Sequence, residues 1–311
     1  MHSTKILTAL TATAAAVALA ACADPTTNPT TVTQNTPSTA ASITPYDISS
    51  IPTVDDIAAL VPDEIKKRGT LRNGASTGYA PAEYMAADGQ TPVGYDIDIN
   101  RALAKVMGLN EGVTQHSEFP TIIPALGTKF DVGISSFTIT SEREAQVAMV
   151  SYLNVGSAWG VAQGNPQNFD PSDPCGATIA VQTGTAQETY AQQLSSQCTA
   201  EGKEKIAIMP HELQTDIATK IISGQYDATL ADSTVIGYTS TQSDGKIIQL
   251  GDTFESAPQG IAINKDDAAL AQAVHKAMQY LMDNGYLADI LATYGADSAA
   301  LTTAELNPTV D

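Results

Sequence analysis

Apolar and polar positions along this chain switch repeatedly between near-alternation and a three-to-four spacing. TLRNGAS reads as a strand running into a loop, and VGYDIDINRALAKVMG as a strand or turn followed by an amphipathic helix. In that helix Ile97, Ala102, Leu103 and Val106 fall near one face, and Gly108 is placed to cap the C-terminus. FPTIIPALGTKFDVGISSF predicts a short helix and then a strand, and IAVQTGTAQETYAQQL predicts strand, glycine turn and helix. TDIATKIISGQYDATLADSTVIGYTS predicts helix, turn, strand, loop and helix. The chain closes on DDAALAQAVHKAMQYLMDNGYLADILATYG, two helices parted at Asn284-Gly285. Such alternation is the pattern of an α/β protein built around sheets.

One feature breaks the linear order. GSAWGVAQGN, near 156–165, and APQGIAINKD, near 257–266, are both short, glycine-bearing and β-like, with a self-contained α/β block between them. A block entered and left through two extended strands predicts two lobes and a hinge. A second feature is ISSFTITSER at 134–143, where small hydroxyl residues alternate with apolar ones and the run ends on Arg143. TSER has the form of a helix cap, which puts Arg143 in the first turn, at the positive end of the helix dipole. A surface ion pair with Glu142 or Glu144 is one account of this cation.

Composition changes the picture at the N-terminus. MHSTK followed by the alanine-rich ILTALTATAAAVALA reads as a secretory signal over 1–21, short of the ~20 apolar residues a membrane span needs. It ends in LAAC, which looks like a bacterial lipobox with Cys22 as the lipid-modified first residue of the mature protein. The alternative is an ordinary signal cleaved near a cysteine. Residues 22–53 open with ADPTTNPTTVTQNTPSTAASITP, uncharged after Asp24, and are expected to form a flexible tether, with order beginning near Val54. The remainder suffices for one large domain or two smaller ones. These features predict an extracytoplasmic protein, lipid-anchored to the cell membrane.

Charge and cysteine usage narrow the chemistry. The formal charge is −19, from 34 acidic and 15 basic residues, which argues against nucleic acid as a partner. With Cys22 set aside, Cys175 and Cys198 remain as an even pair in an oxidising compartment, so a disulfide is expected, with two free thiols as the alternative. Their spacing fits no zinc pattern and no histidine lies close by; neither a metal nor a cofactor is expected.

Seven fragments in one order carry a resemblance: LRNGASTGYAP, VGYDIDINRALAKVMG, IIPALGTKFDVGISSFTITSER, VQTGTAQETYA, SGQYDATLADS, GIAINKDD and NGYLADILATYG. In them the chain resembles the amino-acid-binding, family-3 solute-binding proteins of ABC importers. The resemblance implies a two-lobed periplasmic-binding-protein-like (type II) fold, each lobe a mixed sheet flanked by helices, joined by a two-strand hinge. Lobe 1 would be 54–160 with 258–300, lobe 2 the inserted 163–256, and 301–311 a C-terminal tail. It further implies a monomer that captures a free amino acid and delivers it to a membrane permease with its ATPase.

The implied site can be read as chemistry. An α-carboxylate calls for a guanidinium fork, and Arg143 stands where family members place that arginine. Ser136 and Thr138 match ligand-facing positions, and Tyr79 matches the aromatic that packs over the ligand. From the other lobe, Gly184 and Thr185 open a helix whose free N–H groups favour an anion. Asp232 matches the carboxylate that receives the ammonium, an ordinary helix cap being its alternative; Asp227 matches a structural aspartate. Ser76 and Gln182 would line the side-chain pocket. Ser76 stands where members preferring cationic side chains carry an acid, so the pocket leans towards a polar or neutral amino acid. Ala82 replaces the usual aromatic after Pro81, which predicts a more open wall.

Two other functions share these features. A lipoprotein that senses amino acids for a membrane receptor would use the same clamp. Dehydratase-type enzymes also exist on this fold, and such an enzyme needs a placed acid or base. His2, His116, His211 and His275 all fall outside the matched pocket, so no catalytic residue is assigned.

Overall fold

The computed structural model describes residues 43–310. A single turn (Asp55–Ala58, α1) and a short helix (Asp63–Arg68, α2) lead into strand β1 (Thr70–Ala75). Three short strands follow, β2 (Gly78–Tyr79), β3 (Glu83–Met85) and β4 (Pro92–Val93). Helix α3 (Tyr95–Val106) carries the chain to β5 (Glu111–His116), and the single turn α4 (Phe119–Ile122) precedes β6 (Val132–Gly133). Another single turn, α5 (Ser141–Glu144), leads to the long strand β7 (Val147–Ala162). Next come β8 (Thr178–Gln182), α6 (Ala186–Ala200), β9 (Ala207–His211), α7 (Ala218–Ile222), β10 (Ala228–Asp232) and α8 (Ser233–Gln242). A second long strand, β11 (Ile247–Asn264), and helices α9 (Ala268–Asp283) and α10 (Tyr286–Thr293) complete the order.

Eight strands form one mixed sheet in the order β5-β1-β6-β11-β7-β10-β8-β9, while β2, β3 and β4 make a small antiparallel sheet. β1 runs parallel to β5 and β6, and β8 runs parallel to β9 and β10. Parallel neighbours require crossovers, which α3 and α6 supply. β7 and β11 pair antiparallel with each other and pass from one half of the sheet to the other. Ala262 and Ile263 of β11 lie beside β6, whereas Ser157–Gly160 of β7 lie beside β10. Between these ends the pairing slips in register three times, from Leu250 to Phe254, from Phe254 to Ala257 and from Gln259 to Gly260. Such irregularities bend and twist a ribbon.

Strand length and domain limits differ from the sequence expectation. The β-like segments near 156 and 257 are parts of strands that begin at Val147 and Ile247. Because Ser157–Gly160 pair with β10, the first half ends near residue 156 rather than 160. Order also begins before Val54: Ile51 is buried, Ile43, Tyr46 and Ile48 pack against the first half's core, and the Tyr46 N–H donates to Asp98 Oδ2 at 2.8 Å. These apolar residues are single and spaced among polar ones, so they leave no periodic signal. Residues 301–310 are likewise not a free tail. Ser151 N–H donates to the Glu305 carbonyl at 3.0 Å and Val150 bridges Leu306, covering the stretch of β7 that β10 leaves unpaired. Cys22, the signal and most of the tether lie outside the described residues.

Each half has its own apolar core. Leu103, Val274 and Leu291 are fully buried where α3, α9 and α10 meet the first half of the sheet. In the second half Trp159 packs on Phe169 and Phe254, with ring centroids 5.0 and 6.0 Å away, beside Ile179, Val181 and Leu230. Cys175 and Cys198 are bonded, tying the segment before β8 to the end of α6. Ala82 is fully buried in the first core, so it leaves no gap in a pocket wall.

Candidate functional site

The loops that leave β1, β6, β8 and β10 converge between the two halves. Thr140 caps α5 by accepting from the Arg143 N–H at 3.2 Å, so the expected helix start is present, though it lasts one turn. The cap fixes the direction of Arg143. Its guanidinium donates through Nη1 to the Thr138 carbonyl at 2.7 Å and through Nη2 to the Gly184 carbonyl at 3.1 Å, from the opposite half. It lies 5.3 Å from the ring centroids of both Phe119 and Phe137, which stack on each other. Although the residue as a whole is half-buried, desolvation of this end brings its pKa down to about 10, and the charge of Asp232 works against the fall. Among the described residues no carboxylate lies within ion-pair distance of Arg143.

Asp232 ends β10 and occupies the cap position of α8, yet its side chain makes no cap hydrogen bond. Its carboxylate instead accepts from Gln187 Nε2 at 2.8 Å and Gln259 Nε2 at 2.6 Å. Its N–H donates to the Tyr79 hydroxyl at 3.0 Å. Burial pushes the carboxyl up to about 6, while the bonds from Gln259, Gln187 and Tyr79 and the Arg143 charge pull it down. Asp227 accepts from the Thr178 N–H at 2.7 Å, a structural bond at the foot of the same strand.

Beside Arg143 lies a small cavity of about 10 Å³. The first half lines it with Tyr79, Phe119, Ser135, Ser136, Thr138 and Arg143, and the second with Gln182, Thr185, Ala186 and Gln187. Ser136 holds a positive φ of 51°, which turns consecutive serines towards the cavity. Gln182 donates to Ser76 Oγ at 2.9 Å, a further bond between the halves, and to the Glu212 carbonyl at 3.0 Å. At the start of α6, Thr185 caps the Glu188 N–H at 3.1 Å. The Gly184 N–H is taken by Glu188 Oε2 at 2.6 Å, so this expected anion donor is already engaged and Gly184 contributes its carbonyl to Arg143 instead. The N–H groups of Thr185 and Ala186 have no partner among the described residues.

Behind the cavity wall lie two further carboxyls. Glu83 Oε1 accepts from Ser135 Oγ at 2.7 Å. Asp96 accepts from the Ser136 N–H at 2.8 Å and from the Tyr152 hydroxyl at 2.7 Å. Desolvation and then the neighbouring Asp96 push Glu83 well above the carboxylate range, and desolvation pushes Asp96 up to about 6. Close buried carboxyls cannot both ionise cheaply, which favours one proton held between the two.

Of the seven expected ligand-facing residues, Tyr79, Ser136, Thr138, Arg143 and Thr185 line this cavity, while Gly184 and Asp232 lie outside its lining and bond to residues on it. Sequence reading missed Phe119, Ser135 and Gln187, and also Gln259, which holds Asp232. Gln187 stands in the first turn after Gly184-Thr185, a position that could have marked it. Gln259 and the Glu83–Asp96 pair leave no local signal. Among the described residues no acid, cysteine and histidine group could hold a metal ion, and no helix is long and apolar enough to cross a membrane.

Two α/β halves joined by a pair of long strands, with a polar cavity between them, define the two-lobed, type II class of periplasmic-binding-like proteins. The chain belongs to the bacterial extracellular solute-binding proteins, family 3, whose model matches residues 71–297. It is 37% identical over 257 residues to the arginine-binding protein ArgT of Corynebacterium glutamicum, covering 82% of this chain and 83% of that one. Among solved structures it is similar to an ancestral amino acid-binding protein described as a precursor of cyclohexadienyl dehydratase. That match has a TM-score of 0.67 at 29% identity and covers 76% of this chain and 99% of the other. It is also similar to an ancestral arginine-binding protein bound to arginine, with a TM-score of 0.66 at 28% identity, over 73% of this chain and 99% of the other.

Proposed function

We propose that this chain is the substrate-binding component of an ABC importer that closes on a free amino acid and delivers it to a membrane permease. The observation that carries the reading is Arg143 on the cavity wall with Asp232 next to it, bonded to Gln187 and Tyr79 of the same wall. A zwitterion presents the complementary pair, its carboxylate to Arg143 and the Thr185 and Ala186 N–H groups, and its ammonium to Asp232. Tyr79 and Phe119 would hold the side chain, with Ser76 and Gln182 at its far end. The lobes are 43–156 with 258–310, and 157–256, hinged where β7 and β11 slip in register. A ligand touching both lobes favours the closed state by its differential affinity.

Arginine is the first ligand to test, since ArgT and the arginine-bound ancestral protein are named for it. Ser76 favours a neutral side chain, so glutamine and citrulline belong in the same screen. Binding without catalysis is the reading: ArgT is a binding protein, and His116, His211 and His275 bond Thr77, Tyr226 and the Ala304 carbonyl, none of which lines the cavity. Lipid on Cys22 would anchor the protein to the outer face of the cell membrane.

The test is a thermal-shift screen of the common amino acids followed by calorimetry. A ligand at 100 times its dissociation constant stabilises by about 2.7 kcal/mol. Arg143→Ala should leave the unliganded melting midpoint in place and weaken binding by at least about a hundredfold, as expected for a buried charge that loses its partner. Unchanged affinity in this variant sinks the site assignment, and no response to any amino acid sinks the function.

A further inference from the structure

We propose that Glu83 and Asp96 form the acidic determinant that selects a cationic over a neutral ligand side chain, by giving up their shared proton when such a side chain enters. The inference rests on the amino-acid-binding reading and assigns its substrate class to residues outside the ligand's direct contacts.

The pair is built by tertiary packing. Glu83 opens β3 and Asp96 lies in the first turn of α3; they meet because the Asp96 N–H donates to the Ala82 carbonyl at 3.0 Å. Gly94 makes this approach possible. Its φ is 129°, and a Cβ there would fall 2.1 Å from the Ala82 carbonyl oxygen. Both carboxyls are essentially unexposed, and each is hydrogen-bonded to one of two consecutive serines that line the cavity. Ser136 Oγ reaches both, at 3.3 Å from Asp96 Oδ2 and 3.5 Å from Glu83 Oε2. The titratable groups around them are the hydroxyls of Tyr79, Tyr95 and Tyr152 and the carboxyl of Asp232. Among the described residues neither carboxyl is ion-paired with a Lys, Arg or His.

Charge bookkeeping then decides the preference. With one proton shared, the acid pair carries one negative charge, Asp232 a second, and Arg143 one positive charge. The site therefore has a net charge of minus one. A zwitterion with a neutral side chain leaves the pair protonated, whereas the side-chain cation of arginine or lysine takes the place of the shared proton and faces two carboxylates, the net charge staying at minus one. A cation beside the serines lowers the proton affinity of the pair. The loop residue Ser76 supplies no charge, so the acid pair does what an acid in that loop would do.

Glu83→Gln keeps an acceptor for Ser135 and cannot ionise. The full chain and this variant would be titrated with arginine and with citrulline, its neutral isostere, between pH 6 and 8. Two buffers of different ionisation heat would report proton release. Both ligands share the α-ammonium, so titration of Asp232 cancels in their affinity ratio. For the wild type, arginine binding should release more protons than citrulline binding, and the arginine-to-citrulline ratio should rise with pH, by up to about tenfold per unit for each extra proton released. In Glu83→Gln the excess release with arginine over citrulline should vanish and the ratio should fall by about tenfold, with citrulline affinity within about threefold of wild type. If that variant fails to fold, Asp96→Asn carries the same expectation. An unchanged ratio, an equal loss for both ligands, or wild-type proton release no greater with arginine than with citrulline overturns the inference alone. Failure of the wild type to bind either ligand overturns the reading of the site and the inference with it.

Discussion

Arg143 occupies the first turn of a four-residue helix, where the helix dipole disfavours a cation, and two backbone carbonyls are its hydrogen-bond acceptors. Asp232 is the mirror case, an anion buried in a site that raises its pKa to about 6. Neither arrangement favours stability, and groups so placed are what a charged ligand needs. The cost has a sign. Because the folded pKa of Asp232 lies above its ordinary value, its contribution to stability is fully present below about pH 4 and is lost as pH rises through about 6. Asp232→Asn should therefore raise the unliganded melting midpoint at pH 7, with the gain fading below about pH 4, while amino-acid affinity falls by at least about a hundredfold. A lower midpoint at pH 7 would show that Gln187 and Gln259 offset the burial. Arg143 was legible because its hydroxyl-rich strand and cap are contiguous in sequence. Gln187 and Gln259, which orient the aspartate, come from a helix and a strand far from it in the chain.

At the scale of elements, β7 and β11 make the hinge, and β2 meets Leu213, in the segment after β9, across the cleft. A Cβ added at Gly78 would lie 2.7 Å from Leu213 Cδ2 and 2.8 Å from Leu213 Cβ. Such overpacking typically costs about 1–3 kcal/mol, and opening the lobes relieves it. Gly78→Ala should accordingly weaken ligand binding roughly five- to hundredfold while moving the unliganded midpoint little. Leu213→Gly in the same chain, which removes the Cβ as well, should restore most of the affinity, and a double-mutant cycle measures the coupling. Additive losses would mean that the two residues do not set closure. Elements with strong periodicity, such as α3 and α9, were legible. The full length of the long strands was not, because VAMVSYLNV is buried throughout except at Asn154 and so lacks the alternation of a half-exposed strand.

For the whole molecule, closure predicts a measurable change of shape. In small-angle scattering the radius of gyration should fall on addition of a saturating amino acid and stay constant in Arg143→Ala; equal compaction in both would rule out closure through this cavity. The alternation of strands and helices, the inserted block, the cysteine pair and the capped starts of α5 and α6 were determined by the sequence alone. Each depends on residues close together in the chain, or on a period that survives any packing. Tertiary structure decided which acids stand behind Ser135 and Ser136, what holds Asp232, and how residues 43–53 and 301–310 join the first lobe. Those contacts link positions tens to hundreds of residues apart, and only the stacking of helices on a shared sheet brings them within hydrogen-bonding distance.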